Sequence, residues 1–139
     1  MHDETDLGRF LDAQTRDYPV ALSEIMAGKK RGHWMWYIFP QLAGLGYSDM
    51  ARYYGIKNMA EATAYLAHPL LRQRIMDICR ALLNLHENNP TNVMGSPDDI
   101  KLRSSMTLFS MVPYTDPVFD EVLSKYFGGV KDEATIGLL

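Results

Sequence analysis

The chain has 139 residues, 47% of them hydrophobic and 22% charged, which is typical of a globular domain and argues against a disordered chain. Its formal net charge of −3 provides no basic field for phosphate backbones, so we expect no nucleic-acid partner. Cys79 is the only cysteine, which excludes an intrachain disulfide and fits a reducing compartment. No apolar run is long enough to span a bilayer, and residues 1–9 are unlike a signal peptide. We therefore predict a cytoplasmic protein without membrane association, folded as one domain over residues 1–139.

Helix start signals appear early in the chain. Asp6 is placed to cap a short helix that ends near Gln14. Pro19 suits the first turn of a second helix, because its missing N–H has no partner there in any case. That helix would end at residues 28–32, where two glycines enclose three cations that favour a helix C-terminus.

The rest of the chain repeats these signals. Caps or first-turn prolines are predicted to start later helices at Ser48, Asn58, Pro69, Ser96, Asp116 and Asp132. The helix from Pro69 to about His86 is predicted to be the longest, since apolar residues recur along it with helical spacing. Strand signals are weak. The sequence therefore predicts an all-α fold, a compact single-domain bundle of about six to eight short helices.

Residues 29–41 form the most unusual segment of the chain, Lys-Lys-Arg-Gly-His-Trp-Met-Trp-Tyr-Ile-Phe-Pro-Gln. Three cations precede a dense aromatic cluster that contains both tryptophans, Trp34 and Trp36. Aromatic rings provide stacking surfaces and cations hold phosphate or carboxylate groups, so a nucleotide-like ligand would use both. The alternative interpretation is that the aromatic residues are hydrophobic core and the cations a solvated helix end.

Residues 98–109 are the second candidate segment. On a helix, Asp98, Lys101 and Ser105 share one face, and Arg103 shares another with Thr107. Such a helix could form the polar wall of a pocket. It could equally carry a surface ion pair, with buried hydroxyls bonded back to its own backbone.

His33 is the best candidate for acid–base chemistry, because the unperturbed pKa of histidine lies near neutrality. A packed or hydrogen-bonded histidine beside a tryptophan is the simpler alternative. No histidine and carboxylate spacing predicts a metal site, and no nucleophile elbow or phosphate-binding loop is present. Cys79 falls on the apolar face of a predicted helix, where a thiol is inert core.

Five strings of residues together resemble one known family. They lie at residues 9–14, 33–41, 44–46, 68–70 and 101–109. They are similar to the bacterial family catalogued as domain of unknown function 1810, also called the Rv1873-like family, over nearly the whole chain. The string His-Trp-Met-Trp-Tyr-Ile-Phe-Pro-Gln is highly specific. The resemblance implies a small all-α fold, and it implies no established activity, cofactor or partner.

Two functional hypotheses follow from the residues. The first is a binding or catalytic site for an anionic, nucleotide-like small molecule, with the enzyme question and any cofactor left open. Its side chains are one candidate acid or base, His33, and six candidate ligand-binding residues: Trp34, Trp36, Gln41, Lys101, Arg103 and Ser105. The second is an interaction module without catalysis, because nine methionines can form an adaptable apolar surface. The first hypothesis requires that the two segments meet in space.

Overall fold

The computed structural model describes residues 6–139, so the first five residues of the polar segment 1–9 lie outside it. Within the described range the chain forms nine α-helices and no strand, and the predicted all-α fold is confirmed. The helices are α1 (Gly8–Met26), α2 (Met35–Ile38), α3 (Asp49–Tyr54), α4 (Met59–Ala67), α5 (Pro69–Asn84), α6 (Pro90–Met94), α7 (Asp98–Ser110), α8 (Val118–Phe127) and α9 (Glu133–Leu138). None of these described helices has the length and apolar character that crossing a bilayer requires.

Helix α1 differs from the prediction of two helices. It is continuous over 19 residues with Pro19 inside it, and it is longer than the 16 residues of α5. An internal proline removes one helical hydrogen bond and costs about 3 kcal/mol in a helix interior. Buried Phe10, Ala21 and Ile25 lie on both sides of the exposed Pro19 and share one core-facing stripe. Packing of that stripe offsets the cost, so tertiary contacts override the local stop signal.

Three of the predicted caps are present, whereas α1 begins after Leu7 without a side-chain cap, so the predicted cap at Asp6 is wrong. Side chains of Ser48, Asn58 and Asp132 accept hydrogen bonds from first-turn N–H groups of α3, α4 and α9. Ser96 does not cap α7, and that prediction is wrong. The backbone N–H of Asp99 already donates to the carbonyl of Gly95 at 2.8 Å, and the next two N–H groups donate to a neighbouring carbonyl. The first turn therefore has no need of a side-chain acceptor there.

Two short helices were not expected from the sequence. Helix α2 lies within the aromatic segment, and α6 begins at Pro90, after the loop that follows α5. Asn89 caps α6 by accepting from the N–H of Thr91 at 2.9 Å. These two additions raise the described helix count above the predicted range, although α1 merges two predicted helices into one.

The hydrophobic core lies between α1, α5, α7 and α8. The apolar stripe of α5 is buried as its spacing predicted, at Leu71, Ile75, Ile78, Cys79 and Leu82. Burial raises the pKa of the Cys79 thiol well above its usual range, and the thiol is a core group without a disulfide partner among the described residues.

Candidate functional site

The two candidate segments meet. The ammonium nitrogen of Lys30 lies 2.8 Å from a carboxylate oxygen of Asp98, at the start of α7. The Lys30 side chain is only 6% exposed and that of Asp98 is 21% exposed, so the pair is largely shielded from water. The Lys30 backbone also donates to the carbonyl of Val93 in α6 at 2.8 Å. These bonds place residues 29–41 against the N-terminal end of α7.

The sequence predicted Lys30 either as one of three cations that could hold an anionic ligand or as part of a solvated helix end. In the structure Lys30 instead joins the loop after α1 to the start of α7, because it pairs with Asp98, which is distant in the sequence. Its ammonium also lies 4.8 Å from the centre of the Trp34 ring. No local pattern around Lys30 distinguishes it from Lys29 or Arg31, which are exposed. Only the chain path shows which of the three cations is buried.

Trp36 and Lys101 form the centre of the site. Both side chains are half-buried, and the Lys101 ammonium lies 5.3 Å from the centre of the Trp36 ring, within cation–π distance. Lys101 also lies 3.6 Å from the second carboxylate oxygen of Asp98, which is i−3 on the same helix. An aromatic face and a cation are thus held together at the surface of the molecule.

The first groove lies beside Trp36 and has a volume of about 360 Å³. Its lining includes Lys30, Arg31, His33, Trp36 and Asp98. Because Asp98 neutralises Lys30, the positive charge that this groove offers a ligand comes from Arg31, and His33 adds an imidazole group. Both of those side chains are exposed.

The second groove is adjacent to the first and has a volume of about 430 Å³. Pro97 lines both grooves. Gln41 and Lys101 line the second groove, and its rim carries the exposed apolar side chains of Tyr47 and Ile100, which are 79% and 61% exposed. The backbone of Gln41 is held in place by its carbonyl, which accepts from the N–H of Ile56 at 2.9 Å.

Trp34 lies in the core rather than in either groove, with 2% of its surface exposed. Its indole N–H donates to the Glu24 carboxylate at 2.9 Å, and the N–H groups of Arg31 and Gly32 donate to the same oxygen at 2.8 and 2.9 Å. Partial burial by itself raises the pKa of Glu24, but these three hydrogen bonds outweigh it and the pKa is lowered. Glu24 therefore organises the loop before α2, a role that its sequence context did not indicate.

Arg103 and Ser105 do not line the grooves either. The Arg103 guanidinium donates to the carbonyls of Val130 and Lys131 at 2.9 and 2.8 Å, and so anchors the connection between α8 and α9. Ser105 is fully buried, and its hydroxyl has no hydrogen-bond partner among residues 6–139. The next hydroxyl along, Thr107, donates back to the carbonyl of Arg103 at 2.8 Å. The polar face of α7 is thus used partly for packing.

The structure therefore brings four of the seven predicted site residues to the grooves: His33, Trp36, Gln41 and Lys101. It places Trp34 and Ser105 in the interior, and it places the Arg103 side chain against the backbone before α9. Among residues 6–139, no three histidine, cysteine, aspartate or glutamate side chains converge in a group that could hold a metal ion.

Comparisons with known proteins agree with this fold. Residues 4–139 match the family described as protein of unknown function (DUF1810). Among solved structures, the conserved hypothetical protein Rv1873 from Mycobacterium tuberculosis is 44% identical and superposes with a TM-score of 0.96. That likeness covers 99% of this chain and 98% of the other. No curated protein matches. The chain belongs to the DUF1810 family, as its aromatic string indicated.

Proposed function

We propose that this protein binds an anionic, nucleotide-like small molecule in the two grooves beside Trp36 and Lys101. The observation that carries the proposal is the position of the Lys101 ammonium, 5.3 Å from the centre of a half-exposed tryptophan ring. A planar base stacks on such a ring, and a phosphate or carboxylate group pairs with such a cation. Ligands that combine a ring with an anion use both.

The grooves support the proposal by their size and lining. Volumes of about 360 and 430 Å³ lie in the range that small-molecule sites occupy. Arg31 and His33 provide further donors for an anion in the first groove, and Gln41 provides an amide in the second. His33 is the candidate general acid or base, since it is an exposed titratable group in the groove that Trp36 lines.

Tryptophan fluorescence tests the proposal with AMP, ADP, ADP-ribose and simple carboxylates as the probes. We expect a saturable change with one class of ligand, and the loss of that change in Trp36→Phe. Trp34 then remains as an internal reference, because it is buried beneath Lys30. A change that survives in Trp36→Phe would place the ligand elsewhere.

Lys101→Gln and Arg103→Gln form a matched pair of charge-removing variants on one helix. We expect Lys101→Gln to weaken binding by about tenfold or more, because a charged hydrogen bond to the ligand is lost. Arg103→Gln should leave the affinity unchanged, since its guanidinium contacts backbone carbonyls and not the grooves. Equal effects of the two substitutions would contradict the proposed position of the anion.

A second candidate function, docking of a protein partner, is favoured by the apolar rim of the second groove. Tyr47 and Ile100 are large, exposed apolar side chains beside one concave surface. Ile100→Glu separates the two functions. A protein partner that docks on this rim should be lost in affinity purification with Ile100→Glu, whereas a small anion held by Trp36 should still bind.

A further inference from the structure

We propose a second, separate site in this protein, which binds a small apolar zwitterion such as an α-amino acid with an apolar side chain. It is a pocket between α4, α5 and the turn that joins α7 to α8. Its volume is about 180 Å³, below the range of drug-sized ligand sites and suited to a ligand of amino-acid size. None of its lining residues lines the grooves beside Trp36.

The floor of the pocket is apolar. Met76 of α5, Val112 at the turn and Phe119 of α8 are core residues, and each presents part of its surface to the pocket. Burying an apolar group of a ligand against them removes apolar surface of both partners from water. The floor therefore selects a ligand with an apolar side chain.

The mouth of the pocket carries opposite charges that do not neutralise each other. Arg72 and Asp116 both line it, yet no ion pair joins them in the described part of the chain. One carboxylate oxygen of Asp116 accepts from the N–H of Val118 at 2.9 Å, and the other has no hydrogen-bond partner among residues 6–139. The Arg72 guanidinium likewise has no hydrogen-bond partner in that range.

A ligand complementary to both charges has a carboxylate for Arg72 and an ammonium group for Asp116. An anion alone would be repelled by Asp116, and a cation alone by Arg72. The pair of charges thus selects a zwitterion, and the apolar floor selects its side chain. This chemistry differs from that of the grooves, where we propose an anion.

The turn at the mouth holds a residue in an unfavourable conformation. The N–H of Thr115 donates to the carbonyl of Val112 at 3.1 Å and closes a four-residue turn, with Pro113 and Tyr114 at its centre. Tyr114 has a φ of 60°, a conformation that glycine adopts without strain. Its side chain is fully exposed, so packing does not repay the strain. We assign the ring to covering the bound ligand.

Chemical-shift mapping of the ¹⁵N-labelled protein tests the site, with L-leucine, L-methionine and L-phenylalanine as probes. N-acetyl-L-leucine and L-leucinamide are the matched compounds that lack one charge. We expect at least one amino acid at millimolar concentration to shift the amide signals of Val112, Tyr114, Thr115 and Asp116, and both derivatives to bind about tenfold more weakly or not at all. No shift at those amides with any of the three amino acids overturns the proposal. Equal binding of the derivatives overturns the assignment of the two charges.

Three variants test whether Arg72 and Asp116 bind the ligand. Arg72→Gln and Asp116→Asn each remove one charge, and asparagine keeps the acceptor for the N–H of Val118. Arg80→Gln on the same helix, outside the pocket, is the control. We expect only the first two to weaken binding, and an effect of Arg80→Gln as large as theirs contradicts the site.

Tyr114→Gly distinguishes a binding role from a structural one. We expect weaker binding with an unchanged or higher melting temperature, because glycine relieves the backbone strain and the ring supports no packing. A lower melting temperature with unchanged affinity would show that the tyrosine serves the fold.

Discussion

Trp34 and Trp36 stand two residues apart and serve different parts of the molecule. Trp34 points inward, where Glu24 accepts from its indole and Lys30 lies over its ring. Trp36 is half-buried and lines the first groove, with Lys101 next to it. The two interpretations of the aromatic segment, hydrophobic core and ligand site, therefore apply to different residues of the same short stretch.

The largest expected effect separates the two tryptophans by stability. Trp34→Ala should lower the free energy of unfolding by about 3–5 kcal/mol, since it leaves a cavity and removes the partner of Glu24. Trp36→Ala should cost less than half of that, because part of its ring is already in water. Urea denaturation followed by circular dichroism measures both values. Equal losses of stability would remove the distinction between the inward and outward residues.

Lys30→Met tests the ion pair that holds the segment against α7. We expect a loss of about 2 kcal/mol in the free energy of unfolding, because Asp98 keeps a shielded charge without its closest partner. Lys29→Met is the control, since the Lys29 side chain is exposed. The same denaturation experiment measures both. A Lys30 variant as stable as the control would show that the pair contributes nothing net.

Arg103→Ala should lower the free energy of unfolding by about 1–2 kcal/mol, because two hydrogen bonds to the backbone before α9 are lost. We also expect faster hydrogen exchange in α9, because Arg103 ties α7 to residues 130 and 131, which precede α9. Hydrogen exchange by mass spectrometry measures this. Unchanged protection of residues 130–138 would contradict the anchoring role.

The smallest expected effect is a pH dependence from Glu24. Its pKa is lowered in the folded state, so its contribution to stability is present above the unfolded pKa near 4.5 and is lost as pH falls through the folded value. Glu24→Gln should therefore show a shallower loss of stability between neutral and acidic pH. Urea midpoints measured across that pH range provide the comparison. Parallel curves for the two proteins would show that Glu24 does not contribute to the acid sensitivity.

More of the fold than of the candidate site could be predicted from the sequence. Caps such as Ser48 and Asn58 are local, because the acceptor and donor lie within one helical turn. Pro19 shows the limit of such rules, since its local cost is outweighed by contacts with distant residues. In the candidate site, Trp36 and Lys101 were predicted individually, but their proximity depends on the chain path between them.

By itself the sequence determined the all-α class, most helix starts, the buried stripe of α5 and the family, because periodicity, caps and a specific string of residues are local properties. Tertiary structure alone decided which tryptophan faces the core, which cation pairs with Asp98, and that Arg103 anchors α9 instead of facing a groove. The physical reason is that burial and pairing depend on groups distant in sequence. Lys30 and Asp98, for example, become partners only when α6 and α7 fold back against the end of α1.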